Sequence, residues 1–270
     1  MRYATSGERL FFEVRDRALV SIGVGGGNGN EVNELISEIG GTTEFSDYIR
    51  GILAVHAVRR LLRYWKREQE LIQGEHLYVK RLSRFIKDNM FSSLSDAEIT
   101  KLARLVIAAT KASDNRISQT VRKRVLSETK TLSCYLCGRS LDVAVDEGDE
   151  RLVTLEHVWP CSVGGESIEV NLLPACVRCQ EAKKDSFSWE WFNIHNLVLP
   201  TAPSEEALKS IAQPARIARH YLQALSECRE HQLTLKEAFR RIGPMGDTSV
   251  RPMSEGLPVT FFDLRTIKGA

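Results

Sequence analysis

Two Cys-x-x-Cys pairs constrain this chain more than any other feature. Cys134 and Cys137 stand in CYLC, and Cys176 and Cys179 in CVRC. Each short loop lets two sulfurs point at one ion, and two such pairs supply the four thiolates of a tetrahedral zinc site. Residues 138–175 separate the pairs, well beyond the roughly 15–20 residues usual in a zinc ribbon. Something must be built between the two halves of the clip. The opening residues MRYATSGERLFFEVRDR carry Arg2, Glu8 and Arg9 and no apolar core, which does not fit a secretory signal. No apolar run is long enough for a membrane span. A cytoplasmic protein with reduced thiols is expected, and there spaced cysteine pairs hold metal more often than they form disulfides.

The intervening segment has its own pattern. Arg151–Val158, RLVTLEHV, has the apolar content of a strand and ends on Glu156-His157. VWPCSVGGES follows as a loop, with Pro160 and Gly164-Gly165 as turn residues. Asn171 comes next. Gln180 lies in CVRCQEAKKD, which is rich in helix formers and would start a helix at the cysteine site.

Taken in order, CxxC, EH, P-x-S-x-GG, NLLPAC-x-x-C and then Lys, these residues resemble an HNH endonuclease, the ββα-metal finger. The resemblance covers roughly residues 131–190. It implies hydrolysis of a phosphodiester to a 5′-phosphate and a 3′-hydroxyl. His157 would be the general base, since imidazole titrates near neutral pH. Glu156 would be a hard oxygen ligand for one Mg²⁺ or Mn²⁺. Asn171 would hydrogen-bond backbone across the loop and hold His157 in place. Gln180 stands where the family usually has His or Asn, the second metal ligand; an amide oxygen is still a neutral donor, one methylene further out than in Asn. Lys183 and Lys184 would contact a phosphate one turn on. On this reading, losing Cys134 or Cys179 unfolds the finger, while losing Glu156 leaves it folded and inactive. The competing reading is a catalytically weak or inactive zinc-stapled module that binds nucleic acid or a partner, and Gln180 is its best support.

The expected fold class is mostly α with a small embedded α+β zinc finger, treble-clef-like, flanked by helical regions. Four segments follow: an N-terminal hairpin and Gly-rich joint at 1–43, a basic helical module at 44–130, the HNH domain at 131–195, and a C-terminal helical region and tail at 196–270. Within the first, RLFFEVRDRALVSI (residues 9–22) reads as two short strands around a charged turn. GVGGGNGN (23–30) fits neither GxGxxG nor a GK[ST] phosphate loop and reads as a joint. In the second, Phe45, Tyr48, Ile49, Ile52 and Leu53 make one helical stripe, and Ser95 with Glu98 forms a capping box. In the last, Ser204 opens one helix, Pro214 sits in the first turn of a second, Thr234 and Glu237 cap a third, and LPVTFFDL is a candidate strand.

Net charge is only +2, but residues 50–130 hold 18 Lys/Arg against 8 Asp/Glu. A basic stretch of this kind suits a polyanion. Arg59, Arg63, Lys66 and Arg67 surround Tyr64-Trp65, a pairing that could grip phosphates and stack on bases. The expected partner is DNA, with RNA equally compatible with a finger that grips phosphates. One base and one metal suit nicking of a single strand. A bacterial anti-phage role and a partner protein that gates the nuclease are compatible with this architecture. Cys161, Cys228, His195, Trp189 and Trp191 read as packing or surface residues.

Overall fold

The computed structural model describes residues 1–21, 43–72, 74–113, 116–128, 131–146, 149–185 and 205–245. The Gly-rich joint, Trp189, Trp191, His195 and the candidate strand at 257–264 lie outside them. Helix predominates among the described residues, with one two-stranded sheet. None of the described helices is long and apolar enough to cross a membrane. The chain divides into two compact units. One comprises Met1–Arg2, Gln119–Glu156 and Leu172–Ala270; the other comprises Tyr3–Ser118 and His157–Asn171.

The second of these, the helical unit, opens with α1 (Ser6–Glu13). Residues 9–21 are therefore helical, not the two strands that Phe11, Phe12 and Val14 suggest by β-propensity. Two things override propensity. Thr5 accepts from the Glu8 amide while Glu8 reaches back to the Thr5 N–H, a complete capping box. Then Leu10, Phe11 and Val14 are fully buried on one helical face. The helix continues through a π turn at Val14–Ala18 and ends with Leu19–Ser21.

Helix α2 (Thr43–Glu68) buries Ala54, Val55, Val58, Leu61, Leu62 and Trp65, a stripe at three- and four-residue spacing. Leu53, expected on that stripe, faces out. Helix α3 (Tyr78–Asn89) buries Leu82 and Ile86. Helix α4 (Asp96–Ser113) starts at the expected Ser95/Glu98 box and packs on α1, α2 and α3 through Ile99, Leu102, Val106 and Ala109.

The other unit carries the cysteines and is the finger unit. It contains α5 (Gln119–Ser127), β1 (Val153–His157, its last residue lying across the unit boundary), β2 (Leu172–Cys176) paired with β1, and α6 (Val177–Lys183). Two C-terminal helices follow, α7 (Glu205–His231) and α8 (Leu235–Ile242). The two helices expected either side of Pro214 are one: α7 runs unbroken past it. A proline in a helix interior removes one hydrogen bond, and the many bonds of so long a helix tolerate that loss. Thr234 and Glu237 cap α8 as expected, and it stops at Gly243, whose φ of 72° suits a residue without a Cβ.

Candidate functional site

Cys134 and Cys137 flank a tight knuckle. The Cys134 N–H donates to the Arg139 carbonyl and the Gly138 N–H to the Cys134 carbonyl. Gly138 takes a φ of 76°, which lets the chain reverse immediately after Cys137. The Tyr135 N–H donates to the Pro174 carbonyl, tying the knuckle to β2. Cys176 ends that strand as the N-cap of α6, and Cys179 lies in the first turn. The four sulfurs lie within 4.8 Å of one another, a group that could hold one metal ion. Their crowding is electrostatically tense. A hydrogen bond from the Cys179 thiol holds Cys134 down to about 5, burial pushes Cys137 up to about 11, and Cys179 is raised by its bond to Cys134. Four adjacent thiols cannot all ionise unless a cation offsets their mutual repulsion.

The same unit positions Glu156. Glu156 is buried, and its Oε1 accepts from the Lys183 Nζ at 2.6 Å. Gln180, one turn before Lys183 on α6, favours the ionised form of the same carboxylate. Burial pushes the Glu156 carboxyl up, and the Lys183 ammonium opposes that. Burial also disfavours the ammonium, but Tyr221 and Glu156 more than offset it and the Lys183 pKa is raised. Lys183 is fully buried. It therefore does not face outward toward a phosphate as the sequence suggested; its charge is drawn inward by Glu156. Lys184 is exposed. One expectation changes with this. Removing Glu156 would strand a buried ammonium, so a truncated Glu156 is not a neutral change to the fold.

His157, the next residue on β1, belongs to the helical unit together with the loop to Asn171. It is half-buried, and its Nε2 lies 3.0 Å from the Ser167 Oγ. The loop is clamped by Asn171, which is 1% exposed. Its Oδ1 accepts from the Trp159 N–H at 2.7 Å, while its Nδ2 donates to the Trp159 carbonyl at 3.0 Å and the Glu166 carbonyl at 2.9 Å. One side chain thus satisfies three backbone groups and fixes the chain two residues beyond His157. Helix α1 supports the loop from below. The Trp159 indole is fully buried edge-on to Phe11, with centroids 5.3 Å apart, and its Nε1 donates to the Val163 carbonyl. The Ser6 N–H donates to the Glu166 carboxylate. Gly7 lies so close to the Val163 and Gly164 carbonyls that a Cβ there would collide with backbone.

The basic residues of α2 fall on different faces. Arg63 and Arg67 are exposed, Lys66 is half-buried, and Arg59 is half-buried with its Nη2 3.3 Å from the Ser162 Oγ. The aromatic pair between them is committed to packing. Trp65 is fully buried edge-on to Tyr78, and Tyr64 stacks on Phe85 at 3.6 Å. Trp65 therefore presents no open face for base stacking. Ser167 and Tyr221 escaped the sequence reading because neither stands at a diagnostic spacing from His157 or Lys183.

No protein-family model, curated protein or solved structure matches this chain.

Proposed function

We propose that this protein is a metal-dependent endonuclease that hydrolyses phosphodiester bonds of DNA, one strand at a time. The observation that carries the reading is the buried Glu156 carboxylate, with Gln180 near it, directly before a histidine whose loop is clamped by Asn171.

Zinc is the ion that suits the four cysteines. A Zn–S bond of about 2.3 Å in tetrahedral geometry sets sulfurs about 3.8 Å apart, and the Cys137 and Cys176 sulfurs are 3.8 Å apart. The role of this ion is to hold the knuckle, β2 and the start of α6 in one frame. A second, hard divalent cation suits Glu156 and Gln180. Mg²⁺ or Mn²⁺ binds through one or two protein oxygens plus water and substrate phosphate. Lys183 occupies Glu156 Oε1, and the carboxylate has a second oxygen to offer. When bound, that cation supplies positive charge to the scissile phosphate and its leaving oxygen.

His157 accepts the proton of the attacking water. Its ring is oriented by Ser167 and carried on backbone that Asn171 fixes. Exposed Arg63, Arg67 and Lys184 supply sequence-independent attraction for phosphates, so cleavage weakens as salt rises.

A second reading has one observation in its favour. Lys183 already neutralises Glu156, as it would in a zinc-stapled module that binds nucleic acid or a partner without cutting. Supercoiled plasmid incubated with protein and Mg²⁺ or Mn²⁺ separates the two. Open-circle product from the wild type and none from His157→Ala supports the nuclease. Binding without product at any metal concentration refutes it. Metal analysis should find one zinc per chain.

A further inference from the structure

We propose that the groove between the end of α2 and the start of α3 receives an acidic amphipathic helix of a partner protein. The groove lies wholly within the helical unit, and the proposal is independent of the nuclease reading.

The two helices meet through Tyr64, which stacks on Phe85, and one turn on through Glu68, which accepts from the Arg81 Nε at 3.1 Å. Beside that ion pair lies a groove of about 730 Å³, lined by Leu71, Ile72 and Leu77 together with Lys80, Arg81 and Arg84.

Two features of the lining point to the occupant. One is apolar. Leu71 is 77% exposed, the highest value for a large apolar side chain among the described residues, and Leu77 is 41% exposed. Exposed apolar side chains gathered within a polar rim mark a contact surface. The other feature is positive charge. Lys80 and Arg84 are exposed one turn apart on one face of α3, and neither is paired with an acidic residue among the described residues. The first turn of α3 holds no acidic residue, and its N-cap, Leu77, makes no side-chain capping bond. The positive end of the helix dipole therefore adds to the same field.

The occupant must carry apolar side chains and carboxylates on adjoining faces. An amphipathic helix does so, with apolar residues at i, i+3, i+4 and i+7 and acidic residues beside them. Nucleic acid fits less well. Its phosphates would meet the cations, but the leucines offer it neither a hydrogen bond nor an aromatic face for stacking.

The test is fluorescence anisotropy of a labelled synthetic helix, with leucine at those four positions and glutamate elsewhere, titrated with the full chain. The wild type should bind it, and less tightly as salt rises. A twin peptide with lysine in place of glutamate should bind at least about tenfold more weakly. Leu71→Ser/Leu77→Ser should weaken binding of the acidic peptide about tenfold, and Lys80→Glu/Arg84→Glu by a similar factor. All four side chains are exposed, so the circular dichroism of both variants should match the wild type. No binding below about 1 mM, or binding that ignores either double variant, overturns the proposal. Equally, Lys80→Glu/Arg84→Glu that loses affinity for a DNA duplex or for anionic lipid vesicles, while holding the peptide as the wild type does, assigns the face to those anions and overturns it.

Discussion

Replacing Lys183 with Met tests the energetics of the acidic half-site directly. Lys183 is fully buried, and the Glu156 side chain opposite it is 8% exposed. Met keeps most of the apolar stem and removes the ammonium. The carboxylate then keeps the desolvation cost of burial and loses its main compensation. Breaking a buried pair from one side costs about 3–5 kcal/mol. The double variant Lys183→Met/Glu156→Gln removes both charges, and such replacements are close to neutral. The single variant should therefore be less stable than the double by about 2–4 kcal/mol. Urea unfolding of the zinc-loaded proteins measures this, with far-ultraviolet circular dichroism and tryptophan fluorescence checked for coincidence. A Lys183→Met variant within about 1 kcal/mol of the wild type would refute the reasoning. So would a double variant no more stable than the single one.

Three further outcomes are expected. Asn171→Ala leaves the Trp159 N–H and the Trp159 and Glu166 carbonyls without their partner, and should cost roughly 3 kcal/mol or more in urea melts; Asn171→Asp should cost a similar amount, because a second oxygen would then face two carbonyls. Glu8 is 1% exposed, and burial raises its carboxyl from 4.5 to about 7. The folded state therefore binds the extra proton, and stability should fall by roughly 3 kcal/mol as pH rises from about 4.5 to about 7, then level off. Glu8→Gln should flatten that slope in melts across the same range, and an unchanged slope would assign it elsewhere. Stripping the metal with a strong chelator, or replacing Cys134 with Ser, should lose the cooperative unfolding of the cysteine-bearing half, as read by amide exchange at residues 134–137 and 176–183.

The elements around the cysteine cluster are local, and that is why they could be read from the chain. Cys-x-x-Cys spacing, a strand ending in Glu-His and a helix starting at Cys176 depend on neighbours a few residues away. The same holds for the capping boxes at Ser95 and Thr234. What stayed hidden depends on distant partners. The inward turn of Lys183 is dictated by Glu156 and by Tyr221 on another helix. Nothing in the sequence around Trp65 says that Tyr78 will cover it. The N-terminal error has a specific source: Phe11, Phe12 and Val14 have strand propensity, while the decisive signal was the smaller Thr5-x-x-Glu8 pattern just before them.

The burial of Trp159 against Phe11 bears on how this protein can be dissected. A fragment cut at 131–195 would retain all four clustered cysteines and every proposed catalytic side chain. It would nevertheless lay a large indole open to water and take the floor away from the histidine loop. Transplanting that segment into another scaffold should carry over the cysteine knuckle without a properly held His157, so a minimal version fit to test the proposed activity must begin at the very first helix.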